Sequence, residues 1–220
     1  MAIRLEVWGD YALFTRPEMK IERVSYDVMT PSAARGIIEA IYWHPGIRWV
    51  IDRITVVNPI VFTNIRRNEV SVKASASNLM NYVNNGGELP QIKPSQNVCQ
   101  RASMLLKNVR YIIEAHFEMT ERAAPSDNEG KFQDIVTRRI AKGQCYHQPC
   151  FGCREFPVSF KAAEGKPVVD SSLNGEHDFG FMLYDIDYSN QRDLKPMFFR
   201  AKMRDGVIDI PKIGSKEVIY

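Results

Sequence analysis

At 220 residues the chain is long enough to bury a substantial core, as one large domain or as one domain with a small second one. Its formal net charge is only +3, so bulk charge does not announce a nucleic-acid binder, and any phosphate-binding surface has to come from uneven placement of Lys and Arg. No apolar run approaches the roughly 20 residues of a membrane span, and the N-terminus alternates like a strand instead of carrying a signal peptide's apolar stretch. The expectation is therefore a cytoplasmic protein with no membrane partner.

In chain order, Ile3, Leu5 and Val7 alternate with Arg4, Glu6 and Trp8 and predict an N-terminal strand. An irregular stretch runs to Met29. Thr30 then offers a helix cap and Pro31 suits the first helical position, while Ala34, Ile37, Ile38 and Ile41 recur at helical spacing as a buried stripe. Arg35, Glu39 and Tyr42 line its edge. Pro45 disfavours helix at His44, so the chain should leave the helix where Tyr42, Trp43 and His44 gather, a cluster suited to RNA.

Arg48 to Val57 is an apolar β-branched run closed by Asn58-Pro59, and Val61 to Lys73 reads as a further strand or an extended arm. From about 74 to 107 periodicity disappears among Asn, Ser, Gly and Pro, which predicts a long insertion. Alternation returns strongly from Val109 to Met119 and sets His116 on the polar side. Ser126 to Glu129 supply capping candidates for a helix carrying Phe132, Ile135, Val136 and Ile140, which Gly143 can end; its other face holds Lys131, Arg138, Arg139 and Lys142. Phe151 to Phe160 reads as a strand.

That order is βαββαβ, so the expected class is α+β with a ferredoxin-like (RRM-like) domain over residues 1–160 that contains the insertion. Phe179 to Tyr188, Met197 to Met203 and Val207 to Ile210, the last two joined by an Arg204-Asp205-Gly206 turn, predict a small antiparallel β subdomain over 161–220.

Cys145, Cys150 and Cys153 fall close together with His147, while Cys99 stands alone. A zinc-stabilised adaptor is one reading, but the usual two short-spaced ligand pairs are missing, and reduced structural thiols are expected instead. No metal or cofactor is called.

A family resemblance adds to these readings. Gly9-Asp10-Tyr11-Ala12-Leu13-Phe14, the Thr30–Pro45 helix, Glu114-Ala115-His116-Phe117 and Gly152-Cys153-Arg154-Glu155-Phe156 occur in an order that resembles the CRISPR-associated Cas-five family, Dvulg (type I-C) subtype. The resemblance runs from about Ile3 to about Pro157 and fades beyond. It implies a metal-independent endoribonuclease that cuts the repeat of precursor CRISPR RNA and stays in the effector complex. The partners implied are the repeat RNA hairpin and the other subunits of a type I-C surveillance complex, with DNA left open.

Cutting RNA without metal needs a group to take the 2′-hydroxyl proton, positive charge at the phosphate, and a donor for the leaving 5′-oxygen. His116 is the first candidate acid or base, its plainer reading being a hydrogen bond to Glu114 or Glu118 on a solvated face. The resemblance carries a cleavage role to Tyr42 and His116, and His44 is held in reserve; the strand of His116 and the end of the first helix are expected to approach one another and bring Tyr42 and His44 within reach. A lysine used by some relatives beside the histidine is absent, so Arg35, Lys107 or Arg110 would stabilise charge. RNA contacts are expected from Arg138, Arg139 and Lys142, from Arg66, Arg67 and Lys73 on the arm, and from Arg154, whose plainer reading is a surface pair with Glu155; Trp8, Trp43 and Trp49 can stack bases or pack. A non-catalytic subunit that holds guide RNA is the alternative of a different class.

Overall fold

The computed structural model describes residues 2–19, 21–188 and 192–220. The long central strand β5 (Val98–Met119) organises it, because its odd-numbered residues Val109, Tyr111, Ile113, Ala115 and Phe117 are all buried on one face. Strand β1 (Ala2–Ala12) pairs antiparallel with β5, from Ala2 opposite His116 to Ala12 opposite Leu106. On its other edge β1 pairs with β6 (Ser159–Ala162), and β3 (Ile47–Val56) pairs with the free edge of β5. The central order is thus β3-β5-β1-β6, every neighbour antiparallel.

Helix α1 (Pro31–Ile41) and helix α3 (Glu129–Ala141) pack on the buried face of these strands. Thr30 accepts the Ala33 N–H through its hydroxyl at 3.2 Å, and Asn128 accepts the Lys131 N–H through its side-chain oxygen at 2.9 Å, so each helix starts on a satisfied cap. Ile37, Ile38 and Ile41 from α1 and Phe132, Val136 and Ile140 from α3 enter the core, as their spacing requires.

Three expectations change. The stretch 74–107 is not one loop: β4 (Phe62–Val70) and the first half of β5 pair from Phe62/Leu106 to Val70/Val98 as a long arm whose tip carries α2 (Ala76–Asn85). Ser103, Leu105 and Leu106 at the base of the arm are buried, but toward its tip strand hydrogen bonding holds residues that are mostly exposed and show no clear hydrophobic period. Phe151 to Phe160 is strand only from Ser159; before it the chain folds back, with the Phe151 N–H on the Phe156 carbonyl at 2.9 Å. Pro149 and Pro157 cannot donate to a ladder, and Gly152 takes φ +82°.

Lastly, β7 (Glu176–Asp187), β8 (Lys195–Arg204), β9 (Val207–Asp209) and β10 (Val218–Ile219) do not make a sheet of their own. Strand β9 pairs with β3, Ile54 opposite Ile208, and so joins the C-terminal strands to the central sheet, while the two-residue β2 (Arg23–Val24) pairs with β5. The free edge of β3 offers unpaired backbone groups, which β9 satisfies. Among the described residues no helix is long and apolar enough to cross a membrane.

Candidate functional site

Helix α1 ends at Tyr42, whose N–H still bonds the Ile38 carbonyl at 2.8 Å but whose φ of −151° turns the chain away. The Trp49 indole N–H donates to the Tyr42 carbonyl at 2.9 Å, and Arg139 of α3 donates to the Ile41 carbonyl at 2.7 Å. Two side chains therefore satisfy carbonyls that the helix end leaves open. The same guanidinium lies 5.1 Å from the Tyr42 ring centre.

Phe132 is the hub of this corner. It is fully buried, with ring centres at 4.9 Å to His44, 6.3 Å to Tyr42 and 6.2 Å to Phe117. Lys131 places its ammonium 5.7 Å from the Phe132 ring and 2.7 Å from Asp127, so it is held at the ring that His44 also meets. His44 Nδ1 accepts the Gly46 N–H at 3.0 Å, so the neutral ring carries its proton on Nε2. A Cβ at Gly46 would stand 3.0 Å from both that nitrogen and the Ala123 Cα. Trp43 beside them is 59% exposed.

Burial pushes the Tyr42 phenol above its ordinary value, the charges of Arg139 and Lys131 acting against that rise. Tyr42 is accordingly a hydrogen-bond donor and not a base at neutral pH. Asp127 is held below the usual carboxylate range by the hydrogen bond from Lys131. Tyr42, His44, Lys131 and Arg139 thus combine a hydroxyl donor, an imidazole and two cations at one helix end, which supply the positive charge and the hydrogen-bond donors that metal-free phosphodiester cleavage calls on.

His116 stands elsewhere, which corrects the expected convergence. Its neighbour Phe117 packs toward Phe132 and Trp49, and successive residues of a strand point to opposite faces, so His116 projects from the face away from the helices. There its Nδ1 meets both oxygens of Asp52, at 2.9 and 2.8 Å, instead of Glu114 or Glu118. A register shift between Ile51 and Arg53 makes Asp52 the extra residue of a bulge. Asp52, Glu114 and Asp209 crowd this face, and its arginines Arg4 and Arg53 already pair with Glu114 and Asp209. The end of this face around His116 is ill suited to a phosphate.

The expected cations also divide. Arg35 is held between Glu39 and Asp185, and Arg110 is held by Glu6 on the sheet face away from the helices, apart from the corner. Arg138 and Lys142 are exposed near the corner on α3, whereas Lys107 and Arg154 are exposed far along the sheet and in the fold-back loop. Glu155 pairs with Arg67 at 2.8 Å, not with Arg154. Sequence reading left Lys131 out of the candidate site because its position one residue before Phe132 gains meaning only when α3 docks against the end of α1. Among the described residues no group of three or more His, Cys, Asp or Glu is arranged to hold a metal ion.

The chain, a mixed α/β protein built on one large antiparallel sheet, matches known proteins over nearly its whole length. The family model described as CRISPR-associated protein (Cas_Cas5) matches residues 2–211, well past Pro157 where the motif resemblance fades. The chain belongs to this family. It is 47% identical over 222 residues to the CRISPR pre-crRNA endoribonuclease Cas5d of Mannheimia succiniciproducens, covering 98% of this chain and 97% of the relative. To the protein of the same name from Thermus thermophilus it is 36% identical, covering 95% and 91%. A crystal structure of a CRISPR-associated protein superposes with a TM-score of 0.71 at 23% identity, over 100% of this chain and 97% of the other, and shares its fold.

Proposed function

We propose that this chain is a precursor CRISPR RNA endoribonuclease, as its two named relatives are, and that it cuts at the helix-end corner without a metal ion. The observation that carries the reading is the corner itself: Tyr42, His44, Lys131 and Arg139 gathered around the Phe132 ring. In the reaction a 2′-oxygen attacks the adjacent phosphorus, the bond to the 5′-oxygen breaks, and the 2′-proton ends on that departing oxygen. The products are a 2′,3′-cyclic phosphate and a free 5′-hydroxyl.

Lys131 and Arg139 supply positive charge where the non-bridging oxygens gain negative charge, a contribution strengthened by the partly buried setting. His44 Nε2–H and the Tyr42 hydroxyl donate hydrogen bonds to the phosphate or to the departing oxygen. Exposed Trp43 stacks a base beside the scissile bond. Arg138 and Lys142, on the same helix as Lys131, hold the repeat hairpin by its phosphates.

Several further readings accompany this one. The order β3-β5-β1-β6 with two helices on one face supports a ferredoxin-like unit over residues 1–160. Residues 161–220 make the C-terminal β part that extends the same sheet. The protein stays with its product among the other subunits of a type I-C surveillance complex, and four free cysteines fit a cytoplasmic setting.

The test is a denaturing gel of repeat RNA incubated with pure protein and excess chelator. Cleavage to a 5′-hydroxyl product is expected. Binding without cleavage, with or without chelator, would identify a guide-holding subunit instead, and cleavage that requires added magnesium would exclude the metal-free route.

A further inference from the structure

The face of the sheet away from α1 and α3 carries a second, separate feature. Glu6 and Trp8 of β1, Arg110 of β5 and Lys161 of β6 share this face, because Trp8 pairs with Arg110 and Glu6 pairs with Lys161 across the strands. With Asn58 and Asn108 they line a pocket of about 300 Å³, the lower end of small-molecule sites. Glu6 is a carboxylate only 9% exposed that meets two cations, Arg110 Nε at 2.6 Å and Lys161 Nζ at 3.5 Å. The cations themselves are 46% and 58% exposed, so their outer donors reach solvent with one positive charge in excess.

Beside them Trp8 leaves 37% of its surface open, with the Lys161 ammonium 6.0 Å from its ring. Asn108 holds a left-handed backbone at φ 53° and accepts the Asn58 side-chain N–H through its carbonyl at 2.8 Å, which fixes the amide at the rim. A flat aromatic ring, two reachable cations anchored by one buried acid, and amides at the edge are the complement of a base with a phosphate attached.

We infer that this pocket binds a single nucleotide, its base stacked on Trp8, its phosphate on Lys161 and Arg110, and its base edge against the amides. In the complex that nucleotide would belong to an RNA strand running over the sheet. That setting rests on the proposed RNA function, but the pocket is built from residues that the cleavage corner does not use.

Equilibrium dialysis of radiolabelled AMP against the full chain tests it directly, with no cleavage required. One saturable site is expected, weakened roughly tenfold or more by Trp8→Ala and only a few-fold by Trp8→Phe, which keeps a stacking face. Lys161→Ala should weaken binding and reduce its dependence on salt. Trp43→Ala, at the other exposed tryptophan, should leave the AMP site intact. The proposal falls if the wild-type chain shows no saturable AMP binding, if Trp8→Ala binds as well as wild type while its melting temperature is unchanged, or if inorganic phosphate competes as well as AMP. Loss of cleavage in His44→Ala with AMP binding retained would keep the two sites apart, and absence of cleavage by the wild-type chain would refute the corner while leaving the AMP result to stand alone.

Discussion

Exchanging the two histidines in turn gives the sharpest check on the corner. Removing His44 deletes the Nε2 donor, the Nδ1 acceptor of the Gly46 N–H at 3.0 Å, and one ring contact with Phe132 at 4.9 Å. Aromatic pairs of this kind are worth about 0.5–1.5 kcal/mol, and each kcal/mol moves the melting temperature of a chain this size by roughly 2–4 °C. His44→Ala should therefore stay folded at the assay temperature while single-turnover cleavage falls by roughly 10²-fold or more, the scale of a lost proton-transfer or transition-state donor. His116 pairs with Asp52 at 2.8 Å with the two side chains 33% and 44% exposed, so solvent screening limits that pair to at most about 1 kcal/mol. His116→Ala should cut RNA within about threefold of wild type. Single-turnover kinetics on labelled repeat RNA, with thermal melts of both variants, decide the matter. If His116→Ala abolishes cleavage and His44→Ala does not, the chemistry lies on the opposite sheet face and the corner is structural.

Other outcomes follow from the same geometry. Neutralising Arg138, Arg139 and Lys142 together should weaken repeat binding and flatten the slope of affinity against salt, measured by fluorescence anisotropy, because fewer counterions are released; Arg139 alone should also cost cleavage. Burial raises the phenols of Tyr26, Tyr42, Tyr111 and Tyr184. Unfolded phenols ionise near pH 10 and the folded ones later, so their contribution is fully present below about pH 10 and is lost as pH rises through the raised values, which denaturant titrations between pH 8 and 11 should register as falling stability. Gly152→Ala should lower the melting temperature by roughly 4 °C or more, since a Cβ there would stand 1.9 Å from the Leu13 carbonyl oxygen at φ +82°. An unchanged melt would show that the fold-back loop can move aside.

Local rules carried much of this molecule. The caps at Thr30 and Asn128, the apolar stripes of α1 and α3, and the alternation of β1 and of the second half of β5 are legible because each depends on residues within a turn or two of one another. The same alternation already placed His116 on the polar face. What the sequence could not decide was which surfaces meet. The distance between Tyr42 and His116 along the chain says nothing about the sheet that separates them, and Lys131 and His44 meet the same ring only because Phe132 docks α3 against the end of α1. Of the arm, β4 was legible as a strand or extended arm, whereas the first half of β5 was hidden for another reason: toward the tip it is held by backbone hydrogen bonds between largely exposed residues, which need no hydrophobic period. Likewise β9 completes the open edge of β3 by backbone pairing over three residues, so joining the C-terminal strands to the main sheet was a decision of tertiary structure alone.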